Sequence, residues 1–183
     1  KGIFAAGDIC NYSGKAKNTM LSSVKAIPET ILSESLKHKP NLIVLSSEMQ
    51  MPFKSLYETP TTLGTDRLAL VAGAVFNFPN KPALIIDVGT CITIDFVDGK
   101  RRHLGGSISP GLQMRLKSLS RQTGALPLVK LSNPKGLIGA CTKESILSGV
   151  VNGTIKELEG TIVAYQKRYP GIIVVLTGGD ARF

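Results

Sequence analysis

A carboxylate, a glycine and two hydroxyls follow directly after the apolar run at residues 83–86. Asp87 would be held at the end of a buried strand, and Gly89 would let backbone N–H groups approach an anion without a side chain in the way. Thr90 and Thr93 offer hydroxyls to phosphate or to a bound cation. This spacing indicates a phosphate-handling hairpin, although a strand that runs into an Asp-x-Gly-Thr turn is also ordinary hairpin chemistry.

Three further clusters of chemically capable residues stand at predicted junctions between elements. Residues 64–67, Gly-Thr-Asp-Arg, place a carboxylate and a guanidinium beside the N-terminus of a helix, which already favours anions. Residues 105–111 link a strand to a helix, and residues 177–181, Thr-Gly-Gly-Asp-Ala, follow the final strand. Each cluster alone is also explained by ordinary structure: an N-cap aspartate, a strand-to-helix turn and a glycine-rich loop.

The elements that must position these clusters follow from the spacing of apolar residues. Helical spacing is found over residues 24–36, 66–78, 111–119 and 142–165. Strand patterns are found at residues 42–45, 83–87, 91–97, 101–108 and 172–176, with the three middle strands joined as an antiparallel meander. Residues 14–23 and 46–63 show no period and are expected to form loops. The order of elements predicts an α/β protein whose ligands gather at strand ends.

Composition limits the class of protein and its compartment. The 183 residues, 43% of them hydrophobic and 19% charged, suffice for a substantial core without disulfides or metal. The apolar runs are far shorter than the ~20 residues of a membrane span, so no membrane partner is expected. The three cysteines, Cys10, Cys91 and Cys141, are odd in number and scattered, which argues against a disulfide framework or a paired zinc site. A reducing cytoplasm is the simplest compartment.

The formal charge of +9 would suit an anionic partner, but the basic residues are dispersed. The densest basic cluster, residues 100–102, follows the turn-forming pair Asp98-Gly99, and only 5% of residues are aromatic. We therefore expect an exposed turn there and no nucleic-acid partner. His38 and His103 are isolated in the sequence and are not expected to bind metal or act in catalysis. Residues 7–15 imitate a P-loop with the wrong glycine spacing.

The ordered clusters together resemble the type III pantothenate kinase family, also called the Bvg accessory factor family. That family's pattern runs Tyr-x-x-Pro-x-x-x-Gly-x-Asp-Arg, Asp-x-Gly-Thr-Ala-x-Thr-x-Asp, Gly-Gly-x-Ile-x-Pro-Gly and Thr-Gly-Gly-Asp-Ala. The matching positions are Tyr57, Pro60, Gly64, Asp66, Arg67, and residues 87–95, 105–111, 123–127 and 177–181. The resemblance covers roughly residues 40–183. Cys91 and Gly124 each stand where the family has alanine, and both are small-for-small changes.

The resemblance implies a fold of the acetate kinase, sugar kinase, Hsp70 and actin superfamily. Such proteins have two RNase H-like lobes, with mixed sheets flanked by helices and ATP in the cleft between them. Residues 1–80 would form an incomplete N-terminal lobe that carries the pantothenate segment, and residues 81–183 a C-terminal lobe with the second phosphate loop and a long interface helix. We expect the family's N-terminal strand, with its Asp-x-Gly-Asn-Thr loop, and its C-terminal helix to be missing from this sequence.

The resemblance also implies a reaction: transfer of the ATP γ-phosphoryl group to the primary hydroxyl of pantothenate, the first step of coenzyme A biosynthesis. Asp66 would be the general base, and Arg67 would anchor the pantothenate carboxylate or steady the base. Tyr57, Gly64 and Thr65 would line the same pocket. Thr142 would be a further pantothenate contact supplied from across a homodimer interface.

On the nucleotide side, the resemblance makes Asp87 the ligand of a monovalent cation, K⁺ or NH₄⁺, with Mg²⁺ carried by ATP. Thr90 would contact the nucleotide phosphates. The remaining positions assigned to ATP binding are Gly89, Thr93, Gly178 and Gly179. Phosphoryl transfer depends chiefly on positioning and charge neutralisation, so these modest groups could suffice.

Two alternatives to a pantothenate kinase stay open. One is a non-catalytic regulatory or accessory protein of the same fold, and the other is a superfamily kinase with a different small-molecule substrate. A binding protein has no need of both a base such as Asp66 and a cation ligand such as Asp87, which favours the enzyme. Residues 57–67 resemble the pantothenate site rather than the shared nucleotide site, which favours this substrate.

Overall fold

The computed structural model describes residues 19–23, 29–30, 33 and 41–183. Two compact units are distinguished: one contains the described residues up to 51 together with residues 58–70, and the other contains residues 52–57 and 71–183. The expected lobe boundary at residue 80 stays a prediction. The predicted helix at 24–36 lies largely outside the described residues, and the P-loop-like residues 7–15 lie wholly outside them.

The first unit contains a small parallel sheet. Strand β1, Thr19–Leu21, pairs with strand β2, Leu42–Val44, so that Met20 lies opposite Ile43. Strand β2 confirms the prediction at 42–45. The loop predicted for residues 14–23 is wrong at β1, because three residues are too few to show a period and the strand is defined by a partner distant in sequence.

The second unit is built on a five-stranded mixed sheet in the order β3-β6-β5-β4-β7. The strands are β3 (Lys54–Ser55), β4 (Ala83–Val88), β5 (Cys91–Val97), β6 (Arg102–Pro110) and β7 (Ile173–Thr177). Strands β4, β5 and β6 form the predicted antiparallel meander, while β7 pairs in parallel with β4 and β3 in parallel with β6. Strand β3 corrects the loop predicted over residues 46–63, again because two residues carry no periodic signal.

Helices complete the α/β architecture that the sequence predicts. They are α1 (Thr65–Asn77), α2 (Leu112–Gln122), α3 (Thr142–Leu147) and α4 (Gly153–Arg168). The long helix predicted over residues 142–165 is confirmed, since α3 and α4 follow each other without a break through a π-helical turn at Ser148–Asn152. In the ranges that the structure describes, no helix is both long and apolar enough to cross a membrane.

One face of the large sheet is covered by α4. Alternate residues of β4 and β5 point to this face, including Leu84, Ile86, Ile94 and Phe96, and all are buried. Leu158, Ile162, Tyr165 and Tyr169 pack against them from α4 and the residue after it. Because β4 and β7 pair in parallel, their C-terminal ends lie side by side at one edge of this packed sheet.

Candidate active site

Asp87 lies one residue before the end of β4, between two threonines on the neighbouring strands. It is in register with Thr93 of β5 and with Thr177 of β7. Residues directly opposite each other in adjacent strands project to the same face, so one carboxylate and two hydroxyls share one side of the sheet. The N–H of Gly89 donates to the carbonyl of Cys91 over 3.0 Å and closes the turn. The predicted phosphate hairpin thus presents a compact set of oxygen atoms at a strand end.

Two glycine-containing segments pack against the backbone of this hairpin. A Cβ on Gly178, whose φ is +103°, would lie 2.3 Å from the carbonyl oxygen of Val88, and a Cβ on Gly111 would lie 2.3 Å from that of Gly89. The N–H of Gly111 donates to the carbonyl of Thr90 over 3.2 Å, and that of Asp180 to Val88 over 2.9 Å. The structure therefore brings the motifs at 105–111 and 177–181 to the Asp87 hairpin, where only glycine fits the closest approaches.

The predicted base segment lies in the first unit, at the start of α1. Thr65 is tied down by its hydroxyl, which donates to the carbonyl of Ser23 and accepts from the hydroxyl of Ser22, each over 3.0 Å. Asp66 is exposed in the first helical turn, and its Oδ1 accepts the N–H of Arg67 over 2.8 Å. The side chain of Arg67 is buried. Of the two side chains, that of Asp66 is the one exposed to solvent.

Tyr57 lies just after β3 and is half-buried against β6. Its ring stacks on that of His103, with the centroids 6.3 Å apart and the planes at 11°. His103 is fully buried, and its Nε2 lies 2.7 Å from Oδ1 of Asp95, which is buried as well. His103 directly follows the basic turn, as the sequence indicates, and its side chain points into the sheet beside Asp95. Counting the strand register outward from the Asp98-Gly99 turn could have found this pair. The turn folds β6 back onto β5, which brings His103 next to Asp95.

Thr142 begins α3 and is exposed. It lines a cavity of about 550 Å³ together with Arg115, Ser118, Ser145 and Val150, among others. None of the described residues that line this cavity belongs to the Asp87 hairpin. Its predicted contact with pantothenate across a dimer interface stays a prediction.

The oxygen atoms around Asp87 suit hard cations. A carboxylate with neighbouring hydroxyls is the ligand set that K⁺ and Mg²⁺ accept, and Mg²⁺ is commonly held by one or two carboxylates together with nucleotide phosphates. Thr93 and Thr177 flank Asp87 on the two adjacent strands. Across the described ranges, His, Cys, Asp and Glu side chains form no group of three or more that could hold a metal ion by themselves. The residues therefore fit a cation bound jointly with phosphate oxygens.

Comparisons with known proteins agree with the motifs. A family model described as type III pantothenate kinase matches residues 6–164. The type III pantothenate kinase of Christiangramia forsetii is 46% identical over 166 residues, covering 91% of this chain and 68% of that protein. That of Flavobacterium psychrophilum is 43% identical over 176 residues, covering 96% and 73%. The family model thus matches residues of both units.

A solved structure supports the fold. A conserved Campylobacter jejuni protein, assigned to the Baf family of transcriptional activators, is similar with a TM-score of 0.57. Its sequence is 24% identical, and the match covers 98% of this chain and 75% of that one, a likeness that concerns the fold alone. From the family model and the close relatives, the predicted family is confirmed: the chain belongs to the type III pantothenate kinase family.

Proposed function

We propose that the protein transfers the γ-phosphoryl group of ATP to pantothenate, giving 4'-phosphopantothenate for coenzyme A biosynthesis. The observation that carries the proposal is the packing of Gly111 and Gly178 against the Asp87 hairpin, in a chain of this kinase family. The three segments expose backbone near a carboxylate and hydroxyls at a strand end, which suits phosphate groups. Phosphoryl transfer is accelerated mainly by such positioning and charge neutralisation.

Asp66 is proposed as the general base. As the primary hydroxyl oxygen of pantothenate forms its bond to the γ-phosphorus, its proton passes to the Asp66 carboxylate. The bond between the γ-phosphorus and the oxygen that bridges to the β-phosphate breaks, and ADP leaves with the electron pair. The exposure of Asp66 supports this role, because a general base must come within hydrogen-bond reach of the attacking oxygen.

The other positions that bind pantothenate in this proposal are Tyr57, Gly64, Thr65, Arg67 and Thr142. The burial of Arg67 supports its second predicted role, in which the guanidinium steadies the base rather than acting as an exposed carboxylate anchor. On the nucleotide side, the proposal assigns ATP binding to Gly89, Thr90, Thr93, Gly178 and Gly179. Asp87 would hold K⁺ or NH₄⁺. Such a cation, with Mg²⁺ on ATP, would neutralise phosphate charge when bound.

We also propose two RNase H-like lobes and a homodimer. Leu137 and Ile138, five and four residues before Thr142, are 79% and 90% exposed. Their segment is held in place, since the side-chain amide of Asn152 donates to the carbonyl of Gly136 over 3.1 Å. Exposed apolar side chains on a fixed segment support an interface with a second copy. The free thiols of Cys91 and Cys141 are compatible with the reducing cytoplasm proposed as its compartment.

The proposal is tested with purified full-length protein, MgATP, radiolabelled pantothenate and either K⁺ or NH₄⁺. The expected products are labelled phosphopantothenate and ADP in equal amounts. Binding of ATP without transfer, with the cation present, would contradict the proposal and favour the accessory-protein alternative. Transfer to another small alcohol in preference to pantothenate would instead favour a superfamily kinase with a different substrate.

A further inference from the structure

The hydrogen-bonded pair of His103 and Asp95 is buried inside the large sheet. The side chains are 0% and 1% exposed, and Nε2 of His103 lies 2.7 Å from Oδ1 of Asp95. Removing polar groups from water in this way costs free energy unless their hydrogen bonds are made. The carboxylate accepts the Nε2–H, and this hydrogen bond fixes both the tautomer and the orientation of the imidazole ring. The other ring nitrogen, Nδ1, has no hydrogen-bond partner among the described residues.

Two aromatic side chains pack against the imidazole ring. Phe53 meets the ring edge to face, at 5.9 Å between centroids and 77° between planes. Tyr57 stacks nearly parallel to it at 6.3 Å and 11°. Both distances lie in the range of favourable aromatic pairs. Because Asp95 fixes the imidazole, the ring against which Tyr57 rests cannot rotate freely.

The backbone around Tyr57 is held by the same strand. Ser55 is in register with His103, and the N–H of Leu56 donates to the carbonyl of His103 over 2.8 Å. Further along β6, a Cβ on Gly105 would lie 3.4 Å from the Tyr57 ring, and Gly105 has a φ of +97°. The absence of a side chain at Gly105 therefore leaves the space that the tyrosine ring occupies. Tyr57 is held by its backbone and on two sides of its ring.

We infer that His103 is a positioning residue for pantothenate binding: it orients Tyr57, and Asp95 orients His103. The inference rests on the proposed function, in which Tyr57 lines the pantothenate pocket. A ring held in one place before the substrate arrives loses little entropy on binding. A chain in which Tyr57 is released should therefore bind pantothenate more weakly, while its handling of ATP is unchanged.

The test uses steady-state kinetics of full-length His103→Gln. The glutamine amide can reach the position of Nε2 and keep the hydrogen bond to Asp95, but it offers no ring to Tyr57. The KM for pantothenate should rise by about 10-fold to 100-fold, with kcat and the KM for ATP within about threefold of wild type. Val97→Ala is the matched control, because Val97 is buried in register with His103 and its truncation also loosens the core. Equal KM values for pantothenate in the two variants would overturn the inference.

Two further variants separate positioning from general destabilisation. The double variant His103→Phe/Asp95→Leu replaces the buried pair with apolar groups and keeps a ring beside Tyr57, so its KM for pantothenate should stay within about fivefold of wild type. If His103→Gln fails to fold, the KM for pantothenate of this double variant tests the inference in its place. In a Tyr57→Ala background, His103→Gln should raise the KM for pantothenate no further. A large increase in the KM for pantothenate of His103→Phe/Asp95→Leu would overturn the inference. So would a His103→Gln substitution that raises this KM as much in the Tyr57→Ala background as in wild type.

The two proposals fail in different ways. A wild-type protein with no transfer to pantothenate would overturn the proposed function and this inference with it. An active wild type in which His103→Gln behaves like Val97→Ala would overturn the inference alone.

Discussion

Gly178 packs directly against the carbonyl oxygen of Val88, so closely that a Cβ on the glycine would lie 2.3 Å from it. Its φ of +103° is also one that other residues rarely adopt. We predict that Gly178→Ala lowers the free energy of unfolding by roughly 1–3 kcal/mol and raises the KM for ATP, because the loop must move away from the hairpin. Urea denaturation and steady-state kinetics measure the two effects.

Gly179→Ala is the matched control for that substitution. A Cβ on Gly179 meets nothing within 4 Å among the described residues, and its φ lies outside the left-handed region. This variant should unfold within about 0.5 kcal/mol of wild type. Equal losses of stability in the two alanine variants would show that contact with Val88 does not set the position of the loop.

Asp66→Asn tests the proposed base. The asparagine oxygen can still accept the N–H of Arg67, so the start of α1 should stay intact and the melting temperature should change little. The amide cannot take the hydroxyl proton, and kcat should fall by about 10²-fold to 10⁴-fold. Phosphopantothenate formation and thermal unfolding are measured on the same preparation. A variant that keeps the wild-type kcat would remove Asp66 from the proton transfer.

The turn between β5 and β6 should give a pH-dependent contribution to stability. Burial acts to raise the pKa of Asp98, but hydrogen bonds from the backbone and guanidinium of Arg102 and from the N–H of Lys100 outweigh it, so the pKa lies below the ordinary 3.8. Oδ1 accepts the N–H of Arg102 over 2.8 Å, and Oδ2 accepts its Nε over 2.7 Å. A lowered pKa in the folded state means that the contribution is complete above pH 3.8 and is lost as the pH falls through the folded-state pKa.

Asp98→Asn should therefore reduce the free energy of unfolding by about 1 kcal/mol at pH 7, where the ion pair with Arg102 is intact. The difference from wild type should shrink as the pH falls below 3.8. Urea denaturation of both proteins between pH 7 and pH 3 measures it. A difference that stays constant over this range would mean that the charge of Asp98 does not contribute.

Ile138→Asp tests the proposed homodimer. A charge at this 90% exposed position should be tolerated in a monomer but not in an apolar interface, so the variant should sediment as a monomer where wild type sediments as a dimer. Ile138→Val is the control and should stay dimeric. If Thr142 reaches the partner's pocket, the KM for pantothenate should also rise in the monomer. An Ile138→Asp variant that stays dimeric would place the interface elsewhere.

Local sequence was sufficient for the elements that carry strong local signals. The run at residues 83–86 and the Asp98-Gly99 turn predicted the meander, and α1 begins within one residue of its predicted start. Strands β1 and β3 were not predicted, because each is defined by hydrogen bonds to a distant partner. For example, the local sequence around Lys54 and around Arg102 contains no pattern that predicts their pairing.

The residues proposed to act in chemistry were all found from motifs, whereas the residue inferred to support them was not. His103 follows three basic residues, and this neighbourhood indicated an exposed turn. Strand alternation overrides that indication, because it points His103 inward beside Asp95 while its neighbour Arg102 stays exposed. A motif identifies groups that meet a ligand, but packing between strands determines what lies behind them.

The π-helical turn at Ser148–Asn152 sets the direction in which Thr142 points. Such a turn holds about one residue more than an α-helical turn, so α3 is rotated by about 100° relative to a continuous extension of α4. Deleting one residue within the turn would leave the sequences of both helices unchanged and still swing Thr142 to another side. The side of the helix on which Thr142 lies is therefore determined by the number of residues in a turn about two helical turns away, and not by which residues they are.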